Sequence, residues 1–106
     1  MKHISQAAVA VAILAFQFSA YAAEWYEGGT LHKATAGTWQ KASSRNQLAT
    51  AGDFVAGAKA ANNMSQLKKR ATAVQRCISS TTSEPQLSDL KVSELSALCI
   101  IRLGYK

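Results

Sequence analysis

A chain of 106 residues has room for one domain and none for a second independent core. With 48% hydrophobic residues, one Pro and six Gly, it is too apolar for a disordered tail and has neither collagen nor linker composition, so a folded chain is expected. Twelve Lys and Arg against six Asp and Glu give a net charge of +6, an excess that depends on whether the first segment is retained.

That segment reads as an export signal. Met1, Lys2 and His3 form a basic start, residues 7–16 are an unbroken apolar run, and Ala20, Tyr21 and Ala22 make the small, any, small pattern that a signal peptidase accepts. Cleavage is expected after Ala22, with residues 1–22 as signal peptide and 23–106 as a single small helical domain. The alternative is an uncleaved anchor, since residues 4–23 would just span a bilayer if Ser5, Gln6, Gln17 and Ser19 were tolerated there. No Cys stands just after the expected cut, which argues against a lipid-anchored lipoprotein.

Beyond the cut, Trp25 and Tyr26 open a short aromatic segment that runs into the turn signal Gly28-Gly29. A first helix is expected over residues 31–42 with Thr30 as cap, weakened by Gly37. Ser44, followed three residues later by Gln47, reads as a capping box for a second helix over 45–61. Leu48, Ala51, Phe54, Val55 and Ala58 share one broad Ala-rich face of it, while Asp53 and Gly57 fall outside.

Asn62 and Asn63 interrupt the pattern, and Ser65 is the expected cap of a third helix reaching Ser80. Its Leu67, Ala71, Val74 and Ile78 form a narrow apolar stripe, with Lys69 and Arg76 on the opposite side. The Lys68-Lys69-Arg70 triplet therefore reads as a solvated helix face more than as a nucleic-acid motif. The polar stretch 79–88 carries the Pro and is expected to be a loop. A last helix starts at Ser93 in preference to Ser88, is buried on most sides over 95–103, and ends at Gly104. No alternating run of strand length occurs, so the fold class is all-α: three to four short helices in a small bundle, with one disulfide between the last two.

The disulfide follows from Cys77 and Cys99, an even pair in an exported chain. Zinc would need two or three further ligands where the exported part offers only His32, and a Cys nucleophile would have the same lone His as base. No metal and no cofactor is expected. Without residues 1–22 the charge is +5 and uneven: residues 33–76 hold eight basic side chains against Asp53, whereas 84–106 hold three of each sign. An anionic neighbour for the middle of the chain is one reading, namely lipid head groups, cell-wall polymers or an acidic protein. Plain solubility is the other. Nucleic acid is set aside because the chain leaves the cytoplasm.

The segments WYEGGTLHKATAGTWQKAS, NQLATAGDFVAG and LKVSELSALCIIRLGY resemble a group of small exported, mostly uncharacterised bacterial proteins. These share a GGTLH segment, a Trp, an LAT segment before Asp-Phe, and a final apolar helix ending in Leu-Gly-aromatic. More distantly, size, helices and a single disulfide are similar to the acid-stress periplasmic chaperone HdeA and to periplasmic immunity proteins that neutralise type VI secretion effectors. The basic charge and the placing of both Cys in the C-terminal half depart from that pattern. The resemblance implies a periplasmic or secreted role in binding a protein partner of the cell envelope, and it carries over no binding residue.

The function expected on these grounds is non-enzymatic binding of another macromolecule, chaperone-like or immunity-like, with Trp25, Tyr26, His32 and Trp39 as candidate partner contacts. A small envelope-surface protein that binds anionic polymers or lipid is the alternative. A hydrolase is less favoured, because the six acids place no two carboxylates on one face of an expected helix and 84 residues in short helices leave little room for a concave site. Insertion into a membrane surface would fall to the third helix, whose stripe is narrow and Ala-rich.

Overall fold

The computed structural model describes residues 23–106. The expected signal peptide and its cut after Ala22 lie outside the described residues. Four α-helices follow the N-terminal segment: α1 (Ala36–Lys41), α2 (Ser44–Gly57), α3 (Met64–Thr81) and α4 (Val92–Arg102), with a 3-10 turn at Pro85–Leu87 between the last two. No strand forms among the described residues. An isolated antiparallel bridge joins Thr35 to Lys91, and Val92 N donates to Ala34 O at 2.9 Å.

α3 is the central element. Its Ala71, Val74 and Ile78 are buried and Leu67 packs at the edge of the core, as the stripe predicts. α2 and α4 both pack against α3 and also touch each other, and Cys77 of α3 forms a disulfide with Cys99 of α4, with Cα atoms 5.9 Å apart. From α4, Leu95, Cys99 and Val92 complete the core; Trp39 from α1 fills its end and is fully buried.

The ends of the helices differ from expectation, each for a local reason. α1 begins at Ala36 and not at Leu31, because Leu31 is held on α2: its N–H donates to the buried Thr50 Oγ1 at 3.2 Å. Thr35 supplies the cap. The cap of α2 is Ser43, whose hydroxyl accepts from Asn46 N at 3.1 Å, so Ser44 is already helical. Gln47 makes no capping box and instead donates to Trp39 O at 2.7 Å, tying α1 to α2. In α3 the cap is Asn63, accepting from Gln66 N, in place of Ser65. The helix continues to Thr81, since Thr81 and Thr82 are buried and satisfy their hydroxyls on Cys77 O and Ser79 O. α4 starts one residue earlier than expected. Lys91 has no acceptor to offer, and the start is secured by Glu94, whose carboxylate accepts from Lys91 N at 2.9 Å.

Both α2 and α4 end in the same way. Ala60 N donates back to Val55 O and Lys59 N to Ala56 O; Tyr105 N donates to Ile100 O and Gly104 N to Ile101 O. These are Schellman endings, which require one residue in the left-handed region. Gly104 (φ 77°) meets that requirement without a Cβ penalty, whereas Lys59 (φ 55°) meets it with one.

The burial of α2 also exceeds expectation. The Leu48 to Ala58 face packs on its neighbours, but Ala49, Thr50 and Gly52 outside that set are buried as well. The N-terminal segment covers them. A Cβ on Gly29 would lie 2.7 Å from Thr50 N and 3.0 Å from Ala49 C, so the chain approaches α2 at a distance only glycine permits. The Trp25 ring lies over Gly52, where a Cβ would stand 3.0 Å from Cζ3.

Candidate functional site

α4 is not buried on most sides. Ile101 is 65% exposed, and Ala97 and Leu103 are exposed with it, because no described element packs on the outer side of α4. Positions 93, 96, 97, 100 and 101 share one face of a helix by their three- and four-residue spacing. Opposite them, α2 presents Phe54 and Ala58. The two helices diverge enough to leave a groove of about 330 Å³ between them, lined by Phe54, Ala58, Ala97, Ile100 and Ile101, with Ser93, Ser96 and Lys106 at its margins.

Its polar margin is already engaged within the chain. Ser96 Oγ donates to Ser93 O at 2.9 Å, and Lys106 Nζ donates to Ala58 O at 2.7 Å, satisfying a carbonyl at the end of α2. The groove therefore offers a guest carbon surface and shape, with few free hydrogen-bonding groups. Pockets of this size that are mostly apolar are the usual form of a ligand or side-chain recognition site.

Against Phe54 stands His32, whose ring centre is 5.5 Å from that of Phe54 and whose Nε2 lies 2.8 Å from Asp53 Oδ2. Both members of this pair are partly open to solvent, and it ties the N-terminal segment to α2. Among the described residues no third side chain hydrogen-bonds to the pair. Among the described residues no three His, Cys, Asp or Glu side chains gather as ligands for a metal ion.

The four candidate contacts of the sequence reading do not form one surface. Trp39 is fully buried, with its Nε1 donating to Ser79 Oγ at 3.0 Å; it is a core residue and offers no surface to a partner in this fold. Trp25 is half-buried between Gly52 of α2 and Lys68 of α3, and Tyr26 meets its edge at 5.6 Å between ring centres. Tyr26 is 37% exposed. None of the four lines the groove; His32 comes nearest, through its contact with Phe54.

Sequence reasoning missed Ile101, Ala97 and Phe54 as a surface. The apolar run 95–103 gives no sign of which side lacks a partner, since an Ile left open and an Ile in the core look alike in a linear text. The chain matches no protein-family model, and comparison with curated proteins and with solved structures finds no match.

Proposed function

We propose that this is an exported, non-enzymatic protein that acts by binding another protein in the cell envelope, in a chaperone-like or immunity-like role. The observation that carries the reading is the uncovered apolar groove between α2 and α4, with Ile101 at 65% exposure on a domain whose remaining large aliphatic side chains are mostly packed away. An exposed Ile flanked by Ala97 and Phe54 is the kind of site that takes an apolar anchor from a partner. A Cys77–Cys99 disulfide fits an oxidising compartment, and no helix among the described residues is long and apolar enough to cross a membrane.

A photoreactive amino acid placed at Ala97 in the producing cells tests the groove. A discrete cross-linked species is expected from that position and none from Ser80, which is exposed on α3 away from the groove. Ile101→Glu abolishes the adduct while the melting temperature changes little, because an exposed side chain contributes less than about 0.5 kcal/mol to stability. Adducts of equal yield at both positions, or at neither, refute the reading.

The site of action rests on processing. The exported protein is expected to have the intact mass of residues 23–106, and a mass that retains residues 1–22 would establish an anchored form instead.

A further inference from the structure

Helix α3 carries Lys68, Lys69, Arg70 and Arg76 and no acidic residue between Met64 and Thr81. One of these cations is consumed within the fold. The Arg70 guanidinium stacks on the Tyr105 ring at 4.6 Å and donates through Nη1 to Ala60 O at 2.8 Å. Lys68, Lys69 and Arg76 are exposed.

Lys69 and Arg76 stand seven residues apart, two turns or about 10 Å along the axis, and so project from the same side of the helix, opposite the buried Ala71, Val74 and Ile78. Ser65 and Thr72 share that side and Lys68 flanks it, so the outer face combines cations with hydroxyls and has no large apolar residue. Among the described residues no carboxylate pairs with its cations, and Asp53 meets His32 instead, Oδ2 standing 2.8 Å from Nε2. Glu27 accepts from Glu24 N and Glu94 from Lys91 N, while Glu84 and Asp89 lie beyond the end of α3.

The shape of this face selects among anionic partners. The three cations stand on the outside of a helix, Lys68 with its Nζ 6.0 Å from the centre of the Trp25 ring, without a concavity that would enclose a phosphate or match the contour of one protein. Such an array responds to a field spread over a surface, which is the condition at an anionic lipid bilayer. Side chains suited to the head-group level border it: Tyr26 beside Trp25 near Lys68, and Met64, 52% exposed, at the start of the helix.

We propose that the outer face of α3 docks the protein on anionic phospholipid head groups, with Lys68, Lys69 and Arg76 as the contacts and the helix lying along the bilayer without insertion. No α3 residue lines the groove between α2 and α4, so the docked protein keeps that groove open. This inference is independent of the groove reading, since lipid binding can fail while cross-linking at Ala97 succeeds, and the reverse.

The test is sedimentation of the purified exported protein with vesicles at 50 mM salt. Vesicles of phosphatidylglycerol and phosphatidylethanolamine are expected to carry the protein down and vesicles of phosphatidylcholine to leave it in solution. Raising the salt to 300 mM should weaken binding at least tenfold, because the attraction is screened. At roughly fivefold per cation, Lys68→Glu/Lys69→Glu/Arg76→Glu should weaken it roughly 100-fold or more. The double variant Lys69→Glu/Arg76→Glu, which breaks no hydrogen bond of the fold, should weaken it at least tenfold with an unchanged circular dichroism spectrum. Lys33→Glu/Lys91→Glu/Arg102→Glu changes the net charge equally and should bind within about threefold of the parent. Equal loss in that control reduces the effect to net charge and overturns the proposal. So does binding insensitive to salt, binding to phosphatidylcholine, or tighter binding to polyglutamate or duplex DNA at the same salt.

Discussion

Replacing Cys99 by Ser is expected to lower the stability of this protein by about 3 to 5 kcal/mol, comparable to the whole stability of a small domain. Two terms contribute. The Cys77–Cys99 bond closes a loop with a sequence separation of 22, for which the chain-entropy account gives about 3 kcal/mol. Cys99 is also fully buried in the cluster with Leu95, Val74 and Ile78, so the Ser hydroxyl enters an apolar site and adds about 1 kcal/mol or more. Cys77 is only half-buried, and Cys77→Ser should cost the cross-link with little further penalty. Non-reducing thermal melts should therefore place Cys99→Ser lowest, Cys77→Ser next, and both at least about 12 °C below the parent. Thiol titration of the unfolded, unreduced parent should find no free thiol. Equal melting temperatures for all three proteins would mean that the bond has no stabilising role.

The consequence extends to the groove. α4 is reached through residues 82–91, of which only Leu87 and Leu90 are half-buried apolar side chains, so the disulfide is the covalent tie that holds α4 against α3. Reduction should therefore lower the Ala97 cross-link along with the melting temperature.

What could be read from the sequence was the part set by periodicity. The α3 stripe, the all-α class and the Cys pairing follow from spacings that persist over several turns, and the structure reproduces them. Helix starts were less legible, because each offered two neighbouring polar residues. Ser43 and Ser44, or Asn63 and Ser65, are all good caps by type, and the choice rests on which backbone amide the side chain reaches. The further burial on α2 was hidden for a different reason. Ala49, Thr50 and Gly52 look like solvent-side residues until Gly29 and Trp25 are laid across them, a contact more than 20 residues distant that no local pattern encodes. The groove was missed by the same logic reversed, since exposure at Ile101 depends on what is absent beside α4.

Trp39→Ala is expected to cost about 3 to 5 kcal/mol, the range for emptying a large aromatic site in a core. Its ring is fully buried where α1 meets the C-terminal part of α3, and the short α1 has only six residues to hold it in place, so deleting the ring removes the main apolar anchor of that helix. Gln47, which reaches Trp39 O, and Gln40, which reaches Thr82 O, would keep their bonds only if α1 stayed in register. Trp39→Phe should cost clearly less, since it keeps most of the apolar volume and releases Ser79 to solvent, where its hydroxyl is already exposed. Ser79→Ala provides the complementary measurement. It deletes an exposed hydroxyl, a change that ordinarily falls within about 0.5 kcal/mol, yet here it strands the indole N–H inside the core and should cost about 1 to 3 kcal/mol. Urea unfolding followed by fluorescence gives both quantities, because the chain has two Trp and only Trp39 is fully buried. The native emission of Trp39→Ala, arising from half-buried Trp25, should lie to the red of the parent. A Ser79→Ala protein as stable as the parent would mean that water or another acceptor reaches Trp39 Nε1, and the end of the core would then be open where the present packing closes it.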